Sequence, residues 1–335
     1  MNINFYLGRT RSGTPMHFTG MDNPHICLTG RSGCGKSYFL RQLLLQAVEQ
    51  GALGLVFDYS GDFRRFVPSP GLPFRRVDIT SPEFTINPFL SGDGLDVELG
   101  VQQLLHQLHG VFRMGSRATL ALRQAAQQYL ASNPNPPTLE GLCDLLRHTR
   151  APSQGLLSAR EPLELLASLL HCGNQPIGLE LNHPGLVVLD FARVVDGSMR
   201  TFLVELTLRA VWTQRTTARE SAACPVVVAL DECQNISWSE QSMAVRILRE
   251  GRKFDLAGWF STQWIDKKAE HALGQAALQA HFRPEDRDIS RLARSIGRDG
   301  PEEAALYRQL LHGLNVGQFL WPRPNGRAVV VNVDP

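Results

Sequence analysis

The segment Gly30-Arg31-Ser32-Gly33-Cys34-Gly35-Lys36-Ser37 constrains this chain more than any other, because it fits G-x-x-x-x-G-K-[ST] between an apolar strand pattern and an amphipathic helix pattern. His25 to Thr29 reads as a buried strand, and Tyr38 to Gln50 sets Leu40, Leu43, Leu44, Ala47 and Val48 on one helical face. Strand, glycine loop and helix in that order make a phosphate-binding loop. The glycines let the backbone curl, so that successive N–H groups and the helix N-terminus face the β- and γ-phosphates of ATP. Lys36 supplies a point charge and Ser37 an oxygen for Mg²⁺. The residues expected around the nucleotide are Gly30, Arg31, Ser32, Gly33, Cys34, Gly35, Lys36, Ser37 and Tyr38. The only lysines are Lys36, Lys253, Lys267 and Lys268, which makes a chance fit rarer still.

Apolar runs at Leu53 to Phe57, Phe74 to Ile79, Leu186 to Phe191, Pro225 to Leu230, Leu256 to Ser261 and Ala277 to Phe282 alternate with helical patterns. That alternation is the signature of an α/β fold with a mainly parallel central sheet covered on both faces. A further strand pattern, Ile3 to Leu7, opens the chain. Gln318 to Trp321 and Ala328 to Val333 flank the turn signal Arg323-Pro324-Asn325-Gly326, and read as a C-terminal antiparallel β-hairpin extending the sheet edge. Between 95 and 182 the strand signal vanishes, and Leu99, Leu104, Leu105 and Leu108, then Leu163, Leu165, Leu166, Leu169 and Leu170, take helical spacing. The expected organisation is therefore one α/β domain in two parts, 1–94 with the phosphate loop and 183–335, carrying an all-α insertion at 95–182. The break from Ser132 to Pro137 divides the insertion, and Thr138 restarts a helix as its N-cap.

A net charge of +2 gives the molecule no general basic field, so a polyanion must be met by a local patch, or by a ring of patches made through oligomerisation. The six cysteines are scattered without a C-x-x-C pair, which reads as reduced thiols and makes a zinc site improbable. The sequence has neither a signal-peptide pattern nor 18 uninterrupted apolar residues. The expected location is the cytoplasm, with any membrane recruitment left to partners.

Pro225-Val226-Val227-Val228-Ala229-Leu230-Asp231-Glu232 is an apolar strand ending in two carboxylates. Asp231 suits the Mg²⁺ shell, and Glu232 suits the orientation and polarisation of an attacking water. Such a pair favours hydrolysis over phosphoryl transfer to a small acceptor, hence an ATPase over a kinase. The next strand ends in Ser261-Thr262-Gln263, placing a neutral amide where it can report the γ-phosphate or the lytic water. Arg249-Glu250-Gly251-Arg252-Lys253-Phe254 precedes that strand, and two roles stay open for it: a solvated helix C-terminus or an arginine finger for a neighbouring subunit.

GRSGCGKS, the segment Val56 to Phe63, Ile86-Asn87-Pro88-Phe89, LDECQN and EGRKFDLAGWFSTQ together resemble the HerA/FtsK superfamily of DNA-pumping ATPases, closest to HerA and to the ATPases and coupling proteins of conjugative type IV secretion. The resemblance runs from His25 to the final hairpin. It implies a RecA-like P-loop NTPase fold, binding ATP and Mg²⁺ between the subunits of a ring, taken as a homo-hexamer. By position it makes Lys36 and Ser37 the ATP and Mg²⁺ ligands, Asp231 the metal-shell carboxylate and Glu232 the catalytic one. It also makes Gln263 the sensor, Arg252 the arginine acting in trans, and Asp58 an acidic position beside the nucleotide. The chain departs from the family in having no membrane-spanning amino-terminal segment and little room before His25 for HerA's β-barrel.

Other signals are weaker. Leu90-Ser91-Gly92-Asp93-Gly94 departs from a transporter signature and reads as a loop; His106 and His109 read as packing rather than metal ligands; Trp259 reads as core. Lys267 and Lys268 are candidates for DNA contacts in a central channel, with a solvated helix start as the commoner alternative. The function expected is a ring-forming DNA-translocating ATPase gripping DNA without regard to sequence. The rivals are a type IV secretion ATPase energising protein export or assembly and a nucleotide-gated scaffold. Secretion or nuclease proteins are the further partners to consider.

Overall fold

The computed structural model describes residues 4–19, 22–68, 70–90, 96–112, 114–132, 137–149, 153–217, 224–233, 236–263, 267–297, 300–323 and 328–334. Its contacts divide the chain into two compact units: Met1–Arg75 with Asn182–Val188 and Ala223–Pro335, and Arg76–Leu181 with Leu189–Ala222.

The first unit is built on a sheet whose strands are β1 (Asn4–Thr10), β2 (Pro15–Thr19), β3 (Ile26–Thr29), β4 (Leu53–Asp58), β5 (Phe74–Asp78), β6 (Gly185–Asp190), β7 (Val226–Leu230), β8 (Leu256–Thr262), β9 (Leu278–Phe282), β10 (Gln318–Trp321) and β11 (Val329–Asn332). β5 and β6 begin in this unit and end in the other. The strand order is β2-β1-β11-β10-β9-β3-β8-β7-β4-β6-β5. From β9 through β3, β8 and β7 to β4 every ladder is parallel, as the apolar runs require. This is the mainly parallel sheet of a RecA-like P-loop fold.

Side chains alternate across that sheet. Ile26 and Leu28 of β3 and Leu278, Ala280 and Phe282 of β9 share one buried core with Phe39, Leu40, Leu43 and Leu44 of α1 (Lys36–Glu49). Phe39 fixes this helix, its ring centroid lying 5.8 Å from that of Phe282 and 5.0 Å from that of Phe319. Cys27, Thr29, Gln279 and His281 occupy the alternate positions of the same two strands. A second cluster, with Ile289, Tyr307, Leu311, Leu320 and Val330, packs α9 (Asp286–Ile296) and α10 (Pro301–His312) onto β10 and β11. Trp259 is fully buried, donates from Nε1 to the Pro24 carbonyl at 2.9 Å and meets Phe5 edge-on, so it is core.

Two features differ from the sequence reading. The opening strand is half of a hairpin: β1 runs on to Thr10, turns through Gly13 at φ 87° and returns as β2, whose Phe18 joins the core. β2 was illegible because a five-residue strand with one buried side chain carries too little alternation to register. The β10–β11 pair is antiparallel as expected, yet it does not form the edge, because β1 pairs with β11 through Arg9↔Asn332 and β2 lies beyond it. The turn positions 324–327 lie outside the described residues.

The second unit contains α2 (Val97–Phe112), α3 (Ser116–Ser132), α4 (Leu139–His148), α5 (Gln154–Leu169) and α6 (Gly197–Thr217). Thr138 caps α4, its hydroxyl accepting from the Gly141 N–H at 3.0 Å, and Ser153 caps α5 in the same way. Asn87 and Pro88 have architectural work here. Asn87 donates to the Gly173 carbonyl and accepts from the Phe89 N–H, and buried Arg209 of α6 donates to the Pro88 carbonyl at 3.2 Å. Burial brings the Arg209 pKa down to about 10. His106 and His109 are exposed on α2, and residues 91–95 and 133–136, with the candidate Ser91-Gly92-Asp93-Gly94 loop, lie outside the described residues.

Candidate nucleotide site

The site forms where β3 gives way to α1. Gly30, Gly33 and Gly35 hold φ values of 147°, 72° and 105°, a region that side chains resist. Gly30 has a second reason to lack a side chain: a Cβ there would fall 2.7 Å from Phe282 Cβ and 3.0 Å from Cys34 Sγ. The loop is pinned at its start by Gly30 N–H on the Thr262 carbonyl and Arg31 N–H on the Arg283 carbonyl, and at its end by Gly317 N–H on the Cys34 carbonyl. Lys36 is buried, and its Nζ donates to the Arg31 carbonyl at 2.9 Å, the same oxygen that receives the Cys34 thiol at 2.8 Å. Ser37 and Tyr38, in the first turn of α1, line the same cavity as the loop, where a helix N-terminus has N–H groups to spare.

β7 brings the carboxylates. Asp231 is 3% exposed; its Oδ1 accepts from the Glu232 N–H at 3.1 Å, and its Oδ2 is a buried acceptor with no hydrogen-bond partner among the described residues. Glu232 takes φ 59°, left-handed for a side-chain-bearing residue, at a cost of about 1–3 kcal/mol. Its Oε1 accepts from Gln263 Nε2 at 3.1 Å, so the residue after β8 orients the second residue after β7. Burial, then the charges of Asp231 and Asp62, push the Glu232 carboxyl above its ordinary range, while Gln263 and Lys36 oppose the shift.

These groups share one cavity of about 300 Å³, lined by Ser32, Gly33, Gly35, Lys36, Ser37, Tyr38, Asp62, Asp231, Glu232 and Gln263. Asp58 is not in the lining. It is buried at the end of β4, where Oδ1 accepts from the N–H groups of Gly61 and Asp62 and Oδ2 from that of Phe63. These bonds tie down the entry to the short 3₁₀ helix Asp62–Arg65, whose N-cap is Gly61, and hold Asp62 against the cavity. Asp62, four residues on, is the acid of this segment that lines the cavity, and the Asp-x-x-Gly-Asp spacing, a turn pattern, is the signal that points to it.

Arg252 sits apart from this lining, on the 3₁₀ helix Gly251–Phe254 between α7 (Met243–Glu250) and β8. Its guanidinium is 60% exposed and 3.9 Å from Asp22 Oδ1. Gly251 is required there because a Cβ would lie 2.5 Å from the Leu256 carbonyl oxygen. Lys267 and Lys268 begin α8 (Lys267–Leu273); their side chains, like residues 234–235 and 264–266, lie outside what is described. His25, on the strand leading into the loop, is buried, and its Nδ1 accepts from the Gly258 N–H at 3.0 Å.

The donor set suits Mg²⁺ bound together with phosphate. Among the described residues no three His, Cys, Asp or Glu side chains converge on a metal site, but the orphaned Asp231 Oδ2 is an acceptor in want of a cation or water, in the same cavity as Ser37.

Residues 6–93 match the family model of the central domain of helicase HerA. Among solved structures, VirB4 of Thermoanaerobacter pseudethanolicus superposes with a TM-score of 0.75 at 15% identity, over 100% of this chain and 98% of VirB4. The bacterial conjugative coupling protein TrwB, in complex with sulphate, gives 0.65 at 15% identity over 98% of this chain and 90% of TrwB. The plasmid coupling protein TrwB in complex with ADP and Mg²⁺ gives 0.63 at 16% identity over 98% and 90%. No curated protein matches the sequence. No helix among the described residues is long and apolar enough to cross a membrane.

Proposed function

From a chain with the fold of the HerA/FtsK-type P-loop ATPases, whose residues 6–93 belong with the HerA central domain, we propose a ring-forming motor that hydrolyses ATP between subunits and moves DNA. The observation that carries the reading is the shared cavity: a phosphate loop with Lys36 and Ser37 on one side, and Asp231, Glu232 and Gln263 on the other.

The loop amides and the α1 N-terminus bind the phosphates of ATP, and Lys36 exchanges the Arg31 carbonyl for phosphate oxygens. Ser37 and Asp231 hold Mg²⁺, which when bound screens the phosphate charge and polarises the γ-phosphoryl group. Glu232, aimed by Gln263, accepts the proton of the attacking water as the water oxygen bonds to the γ-phosphorus and the bond to the ADP oxygen breaks. Arg252, exposed on its 3₁₀ helix, completes the site of a neighbouring subunit and spreads its donors over the developing charge. Each closing and opening of such an interface moves phosphate-gripping loops along DNA, with Lys267 and Lys268 at the channel.

The test is the ATPase rate with and without duplex DNA of unrelated sequences. Turnover should rise with any duplex and the rise should fade with salt, by counterion release. An assembled, active ring that ignores DNA at low salt excludes the translocase in favour of a protein-export ATPase; an assembled ring that binds ATP without hydrolysing it leaves only a nucleotide-gated scaffold.

A further inference from the structure

A second cavity, of about 650 Å³, lies over the alternate positions of β3 and β9, between those strands and α8, α9 and α10. Its size falls in the range of small-molecule sites. Its floor holds His281, which is 4% exposed. One ring nitrogen of His281, Nδ1, stands 2.8 Å from the Thr29 hydroxyl, while Nε2 is buried and has no hydrogen-bond partner among the described residues; His281 lines the cavity. Buried polar atoms are mostly hydrogen-bonded in folded proteins, so a nitrogen buried on the floor of a cavity this size is a group that a water or a ligand would satisfy. Burial brings the His281 pKa down to about 4, so at neutral pH Nε2 meets a ligand as part of an uncharged imidazole.

The remaining lining narrows the chemistry. Leu273, Leu292 and Ile296 supply apolar walls suited to the faces of a flat ring. Asp288 is already paired with Arg291 at 3.3 Å, and Glu303 already accepts from the Tyr307 hydroxyl at 2.6 Å. Glu270 lines the same cavity and adds a carboxylate, an acceptor for amine N–H groups. With the carboxylates of Glu270, Asp288 and Glu303 against the guanidiniums of Arg291 and Arg323, the lining disfavours phosphate. Gln263 belongs to this cavity as well as to the nucleotide cavity, where it holds Glu232.

We propose that this cavity is a second ligand site for a phosphate-free planar aminoheterocycle of the nucleobase or nucleoside type, and that Gln263 carries its occupancy to Glu232. The site stands on its own geometry; the coupling rests on Glu232 acting as the base for hydrolysis. A ligand that engages the Gln263 amide takes it from the Glu232 carboxylate, and turnover falls.

Calorimetric titration of adenosine, guanosine, cytidine and thymidine into protein saturated with ADP and Mg²⁺ tests the site, because the phosphate loop is then occupied. At least one nucleoside should bind one per chain and more tightly than its monophosphate. His281→Phe should weaken it about tenfold, the value of one good hydrogen bond. Ser295→Trp, at an exposed position of α9 on the cavity lining, should block entry while leaving the melting temperature unchanged, and so serves if His281→Phe fails to fold. No binding of any of the four, or binding indifferent to Ser295→Trp, overturns the site. The bound nucleoside should slow ATP turnover in the wild type but not in Gln263→Ala; binding without any effect on turnover overturns the coupling. Binding to a protein that hydrolyses no ATP sinks the motor reading and leaves the site standing.

Discussion

Lys36 and Glu232 line the same cavity, and the roles proposed for them, phosphate binding for one and water activation for the other, predict different failures when each is removed. Lys36→Ala should weaken ATP binding about 10- to 100-fold, the loss of a charge-assisted hydrogen bond, as read by displacement of a fluorescent nucleotide. Glu232→Gln should bind ATP normally and turn over about 10²–10⁴ times more slowly. Wild-type turnover by that variant would remove Glu232 from the mechanism. Gln263 sets a pH test. Its amide helps keep the raised Glu232 carboxyl ionised, so Gln263→Leu should push that carboxyl higher still. Since the ionised form acts on water, the acidic arm of the ATPase pH profile should move to higher pH, and an unmoved arm would contradict the contact. These residues were legible because phosphate chemistry fixes residue types at fixed spacing. Asp62 was not, because its place depends on three hydrogen bonds made by Asp58. Nor was the unpaired nitrogen of His281, which emerges only once β3 and β9 lie side by side.

At the scale of elements, β3 is tied on both flanks by buried histidines. His25 accepts from β8, and His281 of β9 meets Thr29. Burial lowers each pKa from 6.5 to about 4. Between those values the unfolded chain carries more protons than the folded one, so stability is full above pH 6.5 and is lost as pH falls toward 4. The loss approaches about 3 kcal/mol for each histidine at the low end. Urea titrations at pH 7 and pH 4.5 should show that difference in unfolding free energy, and His25→Gln should shrink it; an unchanged pH difference in the variant would mean that His25 charges freely in the fold. The parallel core was legible in its unbroken apolar runs, which only a sheet covered on both faces accommodates. The position of β1 and β2 was not, since it depends on β11 receiving a strand from the far end of the sequence.

Assembly belongs to the whole molecule, and Arg252 is where it can be tested. Arg252→Ala should bind ATP yet lose about 10³-fold or more in turnover, and Lys should rescue poorly because it lacks the planar fork. Mixing Arg252→Ala with Lys36→Ala subunits rebuilds interfaces in which an intact Lys36 meets an intact Arg252, so activity should return in part. A mixture that stays inactive although mass measurements show mixed rings would place Arg252 in its own subunit's chemistry, or require every site at once.

The order of the strands also sets a timetable. β11 lies between β10 and β1, yet of all the strands it is the last to leave the ribosome. The β1–β2 hairpin must therefore wait for its neighbour until the strands between them in sequence have been translated. Nascent chains arrested before Val329 should leave residues 4–19 open to proteolysis, and release of the next few residues should close them.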